Sequence, residues 1–286
     1  MRINNNIMAF NANRNLGTSN NMLGKSLEKL SSGYRINRAG DDAAGLVISQ
    51  KLRAEIGGLK QASRNAQDGI SFVQTTEGAL GEVHNMLGRM RDLAVQAAND
   101  TNDAAARGAI QNEMNALGDE IVRIGADTTF AGASVFQAGT INLQVGSEGS
   151  GTTGQIAVTS SVLTTAAGVL TDGDSNAIDL NSFDFTTTPA DAAADSRAAI
   201  EQIDLAIADI SSRRGTLGAT QNRLESTINN LSVTTENLAA SESRIRDTDM
   251  AAEMVNFTKN QILQQAGVSI LAQANQQPQV VLSLLG

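Results

Sequence analysis

Apolar positions recur every seven residues in two long stretches of the chain. Ile203, Ile210, Leu217, Leu224, Leu231, Leu238 and Ile245 step by sevens without a miss. The companion position reads Ile200, Ile207, Arg214, Gln221, Ile228, Thr235 and Glu242, strongly apolar at first and then mixed. A sustained seven-residue repeat keeps one stripe facing a partner helix and implies a left-handed supercoil. Continuous from 200 to 245, the helix is about 69 Å long at a rise of about 1.5 Å per residue. The alternative is two shorter core helices broken near Gly215 or Gly218.

The N-terminal half answers this pattern. Leu52, Leu59, Ala66, Val73, Leu80, Leu87 and Ala94 also step by sevens, and Ile56 and Ile70 join the same face. Asp41 and Asp42 precede the run and are placed to cap its start, and the segment around Asn99 to Asp103 ends it. A further helix shows Ile110, Met114, Leu117, Ile121 and Ile124 in steps of four and three. Gly57, Gly58, Gly69, Gly78, Gly81 and Gly88 weaken intrinsic helicity by up to about 1 kcal/mol each relative to Ala. Such a helix takes its stability from packing against partners.

The extremities are amphipathic but have no compact core beside them. Ile3, Ile7, Phe10, Leu16, Leu23, Leu27 and Leu30 punctuate an Asn-rich start. Met254, Phe257, Ile262, Leu263, Ile270, Leu284 and Leu285 punctuate residues 247–286. Both ends are expected to become helical only when neighbouring chains cover their stripes. Between about 128 and 196 the texture changes to Thr, Ser, Gly and Ala. Residues 140–145 and 155–159 alternate apolar and polar there, as half-buried strands do. The expected fold is mainly α. It is a long antiparallel helical coiled-coil bundle with paired terminal helices and a small β-rich insertion.

Composition narrows the function. Aromatics are 3% of the 286 residues, with one Tyr and no Trp, so the core is aliphatic. Without cysteine there is no thiolate zinc site, disulfide scaffold or Cys nucleophile. No stretch approaches the ~18–20 apolar residues that span a bilayer, and the start lacks the apolar run of a cleavable signal peptide. The net charge of −9 is concentrated: residues 124–196 hold eight acids and no base, while elsewhere 22 acids face 21 bases. With no basic stripe to replace phosphate counterions, nucleic acid is not an expected partner.

The search for chemistry returns no catalytic, cofactor or metal residues. His84 is the only histidine and lies within the first long heptad helix, off the seam of Leu80 and Leu87. There is no HExxH, Gly-rich phosphate loop or nucleophile elbow. Residues 31–35, Ser-Ser-Gly-Tyr-Arg, read as a break between two helices.

The segments MRINNNIMAFNANRNL and KLSSGYRINRAGDDAAGLVISQKLRAEI, with SRIRDTDMAAEMVNFTKNQILQQAGVSILAQANQQPQVVLSLLG near the other end, resemble bacterial flagellin. The resemblance covers roughly 1–140 and 190–286 and leaves the middle unmatched. It implies a secreted subunit of the extracellular flagellum that polymerises with copies of itself. Residues 1–43 with 237–286 would form the inner filament core, 44–135 with 190–236 a helical rod domain, and 136–189 a short outer segment. The implied partners are cap and junction proteins and a cytosolic export chaperone at the C-terminal helix, with export through the flagellar type III apparatus. Arg89, Leu93 and Glu113 match the positions by which flagellin contacts the vertebrate innate receptor. Two alternatives remain at this point: a hook–filament junction protein, whose ends are similar, and a type III secreted membrane translocator.

Overall fold

The computed structural model describes residues 6–137, 139–147, 154–160, 169–171, 177–179 and 189–285. Ile3 lies outside them, and so do the side chains of Leu284 and Leu285. The helices are α1 (Ile7–Ser32), α2 (Ala43–Ala97), α3 (Ala104–Asp127), α4 (Pro189–Arg246) and α5 (Met250–Leu285). Between α3 and α4 lie three antiparallel strand pairs: β1 (Thr129–Phe130) with β2 (Ala133–Ser134), β3 (Gly139–Gln144) with β4 (Gln155–Ser160), and β5 (Val169–Thr171) with β6 (Ala177–Asp179). The mainly helical fold with a small β insertion is as expected. The helix α4 is unbroken through Gly215 and Gly218, which excludes the two-helix alternative.

Helix ends follow from local chemistry. Asn6, Asp103 and Asp249 each accept a backbone N–H from the first turn of α1, α3 and α5. Gly33, at φ 75°, closes α1 by returning its N–H to the Lys29 carbonyl at 2.8 Å. Of the two aspartates expected to cap α2, only Asp42 does so, accepting from Gly45 N at 2.9 Å. Asp41 turns back instead and accepts from the amides of Asn37 and Arg38. A Cβ on Gly45 would stand 2.8 Å from Cδ1 of the buried Ile36 and closer still to the Asp42 carboxylate, so the cap requires glycine there.

The chain divides into two compact units, Gly58–Thr234 and Met1–Gly57 with Thr235–Gly286. In the first, the heptad positions Leu59, Ala66, Val73, Leu80, Leu87 and Ala94 of α2 are buried, as are Ile203, Ile210, Leu217, Leu224 and Leu231 of α4. On the mixed companion seam Arg214 meets Glu77 at 3.4 Å, and beside it Arg91 of α2 meets Asp204 of α4 at 2.6 Å. These pairs set α2 and α4 antiparallel. The helix α3 covers one end of the pair with Ile110, Met114 and Ile121.

Where α3 stops, a strand pair takes over as third partner. The β1–β2 turn uses Ala131 (φ 52°) and Gly132 (φ 85°), the left-handed pair that a two-residue hairpin requires. It sets Phe130 edge-on to Phe72, with ring centroids 5.8 Å apart. Next the β3–β4 hairpin lies on α2. Val145 and Ile156 pack with Ala66 and Leu224, and Asn65 Nδ2 donates to the Gln144 carbonyl at 2.9 Å. The small residues Gly58, Ala62, Ala66 and Gly69 make the bed on which it lies, with Ser147 Cβ only 3.0 Å from where a Cβ on Gly58 would stand.

Candidate assembly site

The second unit holds the terminal helices. Asn6 Nδ2 donates to the Ala274 carbonyl at 2.7 Å, and Leu16 Cδ1 lies 3.3 Å from where a Cβ on Gly267 would be. At the other end, Thr248 N–H donates to the Gly33 carbonyl at 2.9 Å. Contacts 6 to 274, 16 to 267 and 33 to 248 make α1 and α5 antiparallel partners. Their mutual face is half-covered. Leu16, Leu23 and Leu30 of α1 and Phe257 of α5 are half-buried, while Ser26, Asn260 and Ala274 are buried.

The remaining apolar residues point away. Ile7, Phe10 and Leu27 of α1 are 67%, 69% and 56% exposed. On α5, Met254, Ile262, Leu263 and Ile270 are all exposed, and Met254, Val255, Thr258, Lys259 and Ile262 line an open groove of about 420 Å³. Met8, Met22, Met250, Val255 and Val268 enlarge this surface beyond the residues singled out from the sequence. Glu253 and Lys259 are the only charged residues of α5, so its surface is set by Gln, Asn and aliphatic groups.

The same unit contains a joint between its loops. Tyr34 and Asp247 face each other as an isolated antiparallel bridge, and Arg35 N–H donates to the Arg246 carbonyl at 2.7 Å. The Arg246 guanidinium lies over the Tyr34 ring at 4.4 Å and that of Arg53 at 5.8 Å. Arg53 also pairs with Glu242 at 2.8 Å, beside the half-buried seam residues Leu52, Leu238 and Ile245. Burial works against the charge of Arg53, but its contacts with Tyr34 and Glu242 outweigh that and raise its pKa.

Elsewhere, Arg89 on α2 and Glu113 on α3 form an exposed ion pair at 2.7 Å. Leu93, expected beside them as a surface contact, is only 2% exposed and packs in the α2–α3–α4 core. Position 93 falls on the inward side of α2, one turn from Met90 and Ala97. Among the described residues no three His, Cys, Asp or Glu gather as metal ligands, and no helix is long and apolar enough to cross a membrane.

A helical N-terminal half, a helical C-terminal half and a two-helix surface with an uncovered apolar side therefore need an assembly to explain them. The bacterial flagellin N-terminal helical region matches residues 3–140, and the bacterial flagellin C-terminal helical region matches residues 200–285. The chain belongs to the bacterial flagellin family. A flagellin of Halalkalibacterium halodurans is 48% identical over 287 residues, and one of Bacillus subtilis is 49% identical over 303, each alignment covering 100% of both chains. Among solved structures, Bacillus cereus flagellin is similar at 30% identity, with a TM-score of 0.46 over 63% of this chain and 94% of that one.

Flagellins form the bacterial flagellar filament, which is extracellular. The chain is accordingly a structural subunit that polymerises with its own copies into a filament for motility, and it is not an enzyme. The junction-protein and translocator alternatives are not favoured, because these full-length relatives are flagellins.

Proposed function

We propose that polymerisation proceeds through the outward faces of α1 and α5. Residues 1–43 with 237–286 then form the inner core of the filament, 44–135 with 190–236 the helical layer around it, and 136–189 an outer segment. The carrying observation is the apolar surface left by the antiparallel pair: Ile7, Phe10, Met254, Ile262 and Ile270 are half or more exposed although each helix already has a partner. Two helices cover one stripe of each other and no more. At about 25 cal/mol per Å², each ~1,000 Å² of apolar surface covered by neighbours contributes about 25 kcal/mol before the ends are ordered.

The same surface supports the finer partners. A cytosolic chaperone would cover the groove at Met254, Val255 and Ile262 until export through the flagellar type III apparatus. Junction proteins would offer the first acceptor surface and a cap protein would seat each arriving subunit. Arg89 and Glu113 supply an exposed charged pair for the host innate receptor, with Leu93 holding their helices together from beneath.

Deletion of residues 247–286 tests the central claim. The remaining chain should stay folded and soluble yet fail to extend filament seeds; a truncated chain that still elongates them sinks the reading.

A further inference from the structure

The joint at Tyr34 is not explained by the packing of α1 on α5, and its chemistry is unusual for a loop. Gly33, in the left-handed region, turns the chain out of α1 so that Tyr34 lies against residues 246–248. Two guanidinium groups then share one aromatic ring. Arg246 Nε is buried without a hydrogen-bond partner. Arg246 has no carboxylate within ion-pairing distance among the described residues. Its charge does meet the face of the Tyr34 ring, 4.4 Å away, whose quadrupole attracts a cation. Arg53 adds a second cation to the ring, and Glu242 offsets the repulsion by pairing with it. One side chain, just past the end of α1, thus touches the first part of α2 and the end of α4.

We infer that Tyr34 is a positioning residue for polymerisation, which sets the direction in which α1 and α5 leave the ends of α2 and α4. This rests on the reading that the outward faces of α1 and α5 are the polymerising surface. The 26 residues of α1 make a lever of about 39 Å at ~1.5 Å per residue. A swing of about 10° at the joint moves its far end, where Ile7 and Phe10 lie, by about 7 Å. Neighbouring side chains on a helix surface are only about 5–6 Å apart, so such a swing puts a knob over the wrong hole of the next subunit. Packing of α1 along α5 does not prevent this, because the two helices swing together. The ring between Arg246 and Arg53 does.

Seeded elongation by the full-length chain tests the assignment. Tyr34→Phe keeps the aromatic face and should elongate within about twofold of the parent. Tyr34→Leu keeps the bulk without the face, and Arg246→Met keeps the stem without the cation; each should elongate about tenfold more slowly. The double variant should be no slower than either single one, since both remove the same contact. Far-ultraviolet circular dichroism checks that the helices persist, and Arg246→Met carries the test if Tyr34→Leu loses them. Tyr34 is the only tyrosine and there is no tryptophan, so the near-ultraviolet tyrosine band should weaken in Arg246→Met. Parental elongation by Arg246→Met, Tyr34→Phe as slow as Tyr34→Leu, or additive losses in the double variant would each overturn the inference. The deletion of residues 247–286 serves as a separate arm. If the truncated chain elongates, the terminal-helix reading fails; if it does not while Arg246→Met matches the parent, only the role of Tyr34 fails.

Discussion

Leu143 presses on Gly69 so closely that its Cδ1 occupies the space a methyl group on Gly69 would need. The Leu143 side chain of the strand rests directly on the helix backbone here, and this contact sets how deeply the β3–β4 hairpin sits on α2. Gly69→Ala gains up to about 1 kcal/mol of helix propensity but overpacks the contact at a typical ~1–3 kcal/mol, so the net effect is destabilising. Gly78 has open space where its Cβ would be, and Gly78→Ala should stabilise by about 0.5–1 kcal/mol. Denaturant midpoints of the two monomers should therefore shift in opposite directions, and Gly69→Ala should cost less in a Leu143→Ala background than in the parent.

The two glycines show what was legible in the sequence and what was not. As letters, Gly69 and Gly78 both read as weak points in a heptad helix. Only the hairpin, arriving from more than seventy positions away, makes one of them a seat. The heptads themselves were legible because a period of seven is a local property, repeated until it is unambiguous. The hand-over from α3 to the hairpin was not, because it depends on where a 24-residue helix runs out along a 55-residue one. At the terminal helices, the split of Leu16 and Leu23 towards α5 from Ile7 and Phe10 away from it needed the partner's direction. Tyr34 read only as part of a helix break, since its meaning lies in Arg246, over two hundred residues on.

Asp41 makes the loop before α2 sensitive to acid. The Arg38 amide is the chief cause of its lowered pKa; desolvation opposes it, and the Asn37 amide and the charges of Lys25 and Lys29 assist. A carboxylate with a lowered folded-state pKa stabilises fully above its unfolded value, ordinarily 3.8, and the contribution is lost as pH falls through the lower folded value. The amide resonances of Asn37 and Arg38 should hold steady from neutral pH down to about 5 and shift below about 4. In Asp41→Asn that acid transition should vanish; if it persists unchanged, Asp41 is not its source.

The Arg89–Glu113 pair separates stability from recognition. Both side chains are about half exposed, 56% and 45%, and an exposed pair of this kind is worth about 0–1 kcal/mol. The double substitution Arg89→Ala with Glu113→Ala should leave the melting midpoint within a few degrees. It should lower the dose response of cells carrying the innate flagellin receptor. Leu93→Ala should act differently, unfolding the core by about 2–5 kcal/mol because the side chain is buried. An unchanged dose response for the double variant would remove this pair from the receptor contact.

Two isoleucines of the same size distinguish folding from assembly most directly. Ile210 on α4 is 1% exposed in the heptad core, and Ile262 on α5 is 59% exposed on the outward face. Ile210→Ala leaves a cavity in the buried heptad core and should destabilise the monomer by about 2–5 kcal/mol. Ile262→Ala removes no contact that the monomer depends on and should change its stability by no more than about 0.5 kcal/mol. If α5 polymerises through this face, the order reverses in the assembly. Ile262→Ala should raise the monomer concentration left over after seeded growth, while Ile210→Ala, kept below its melting temperature, should change it much less. A residual monomer concentration that tracks monomer stability, and not exposure on α5, would mean that the filament contact lies on another face of the chain.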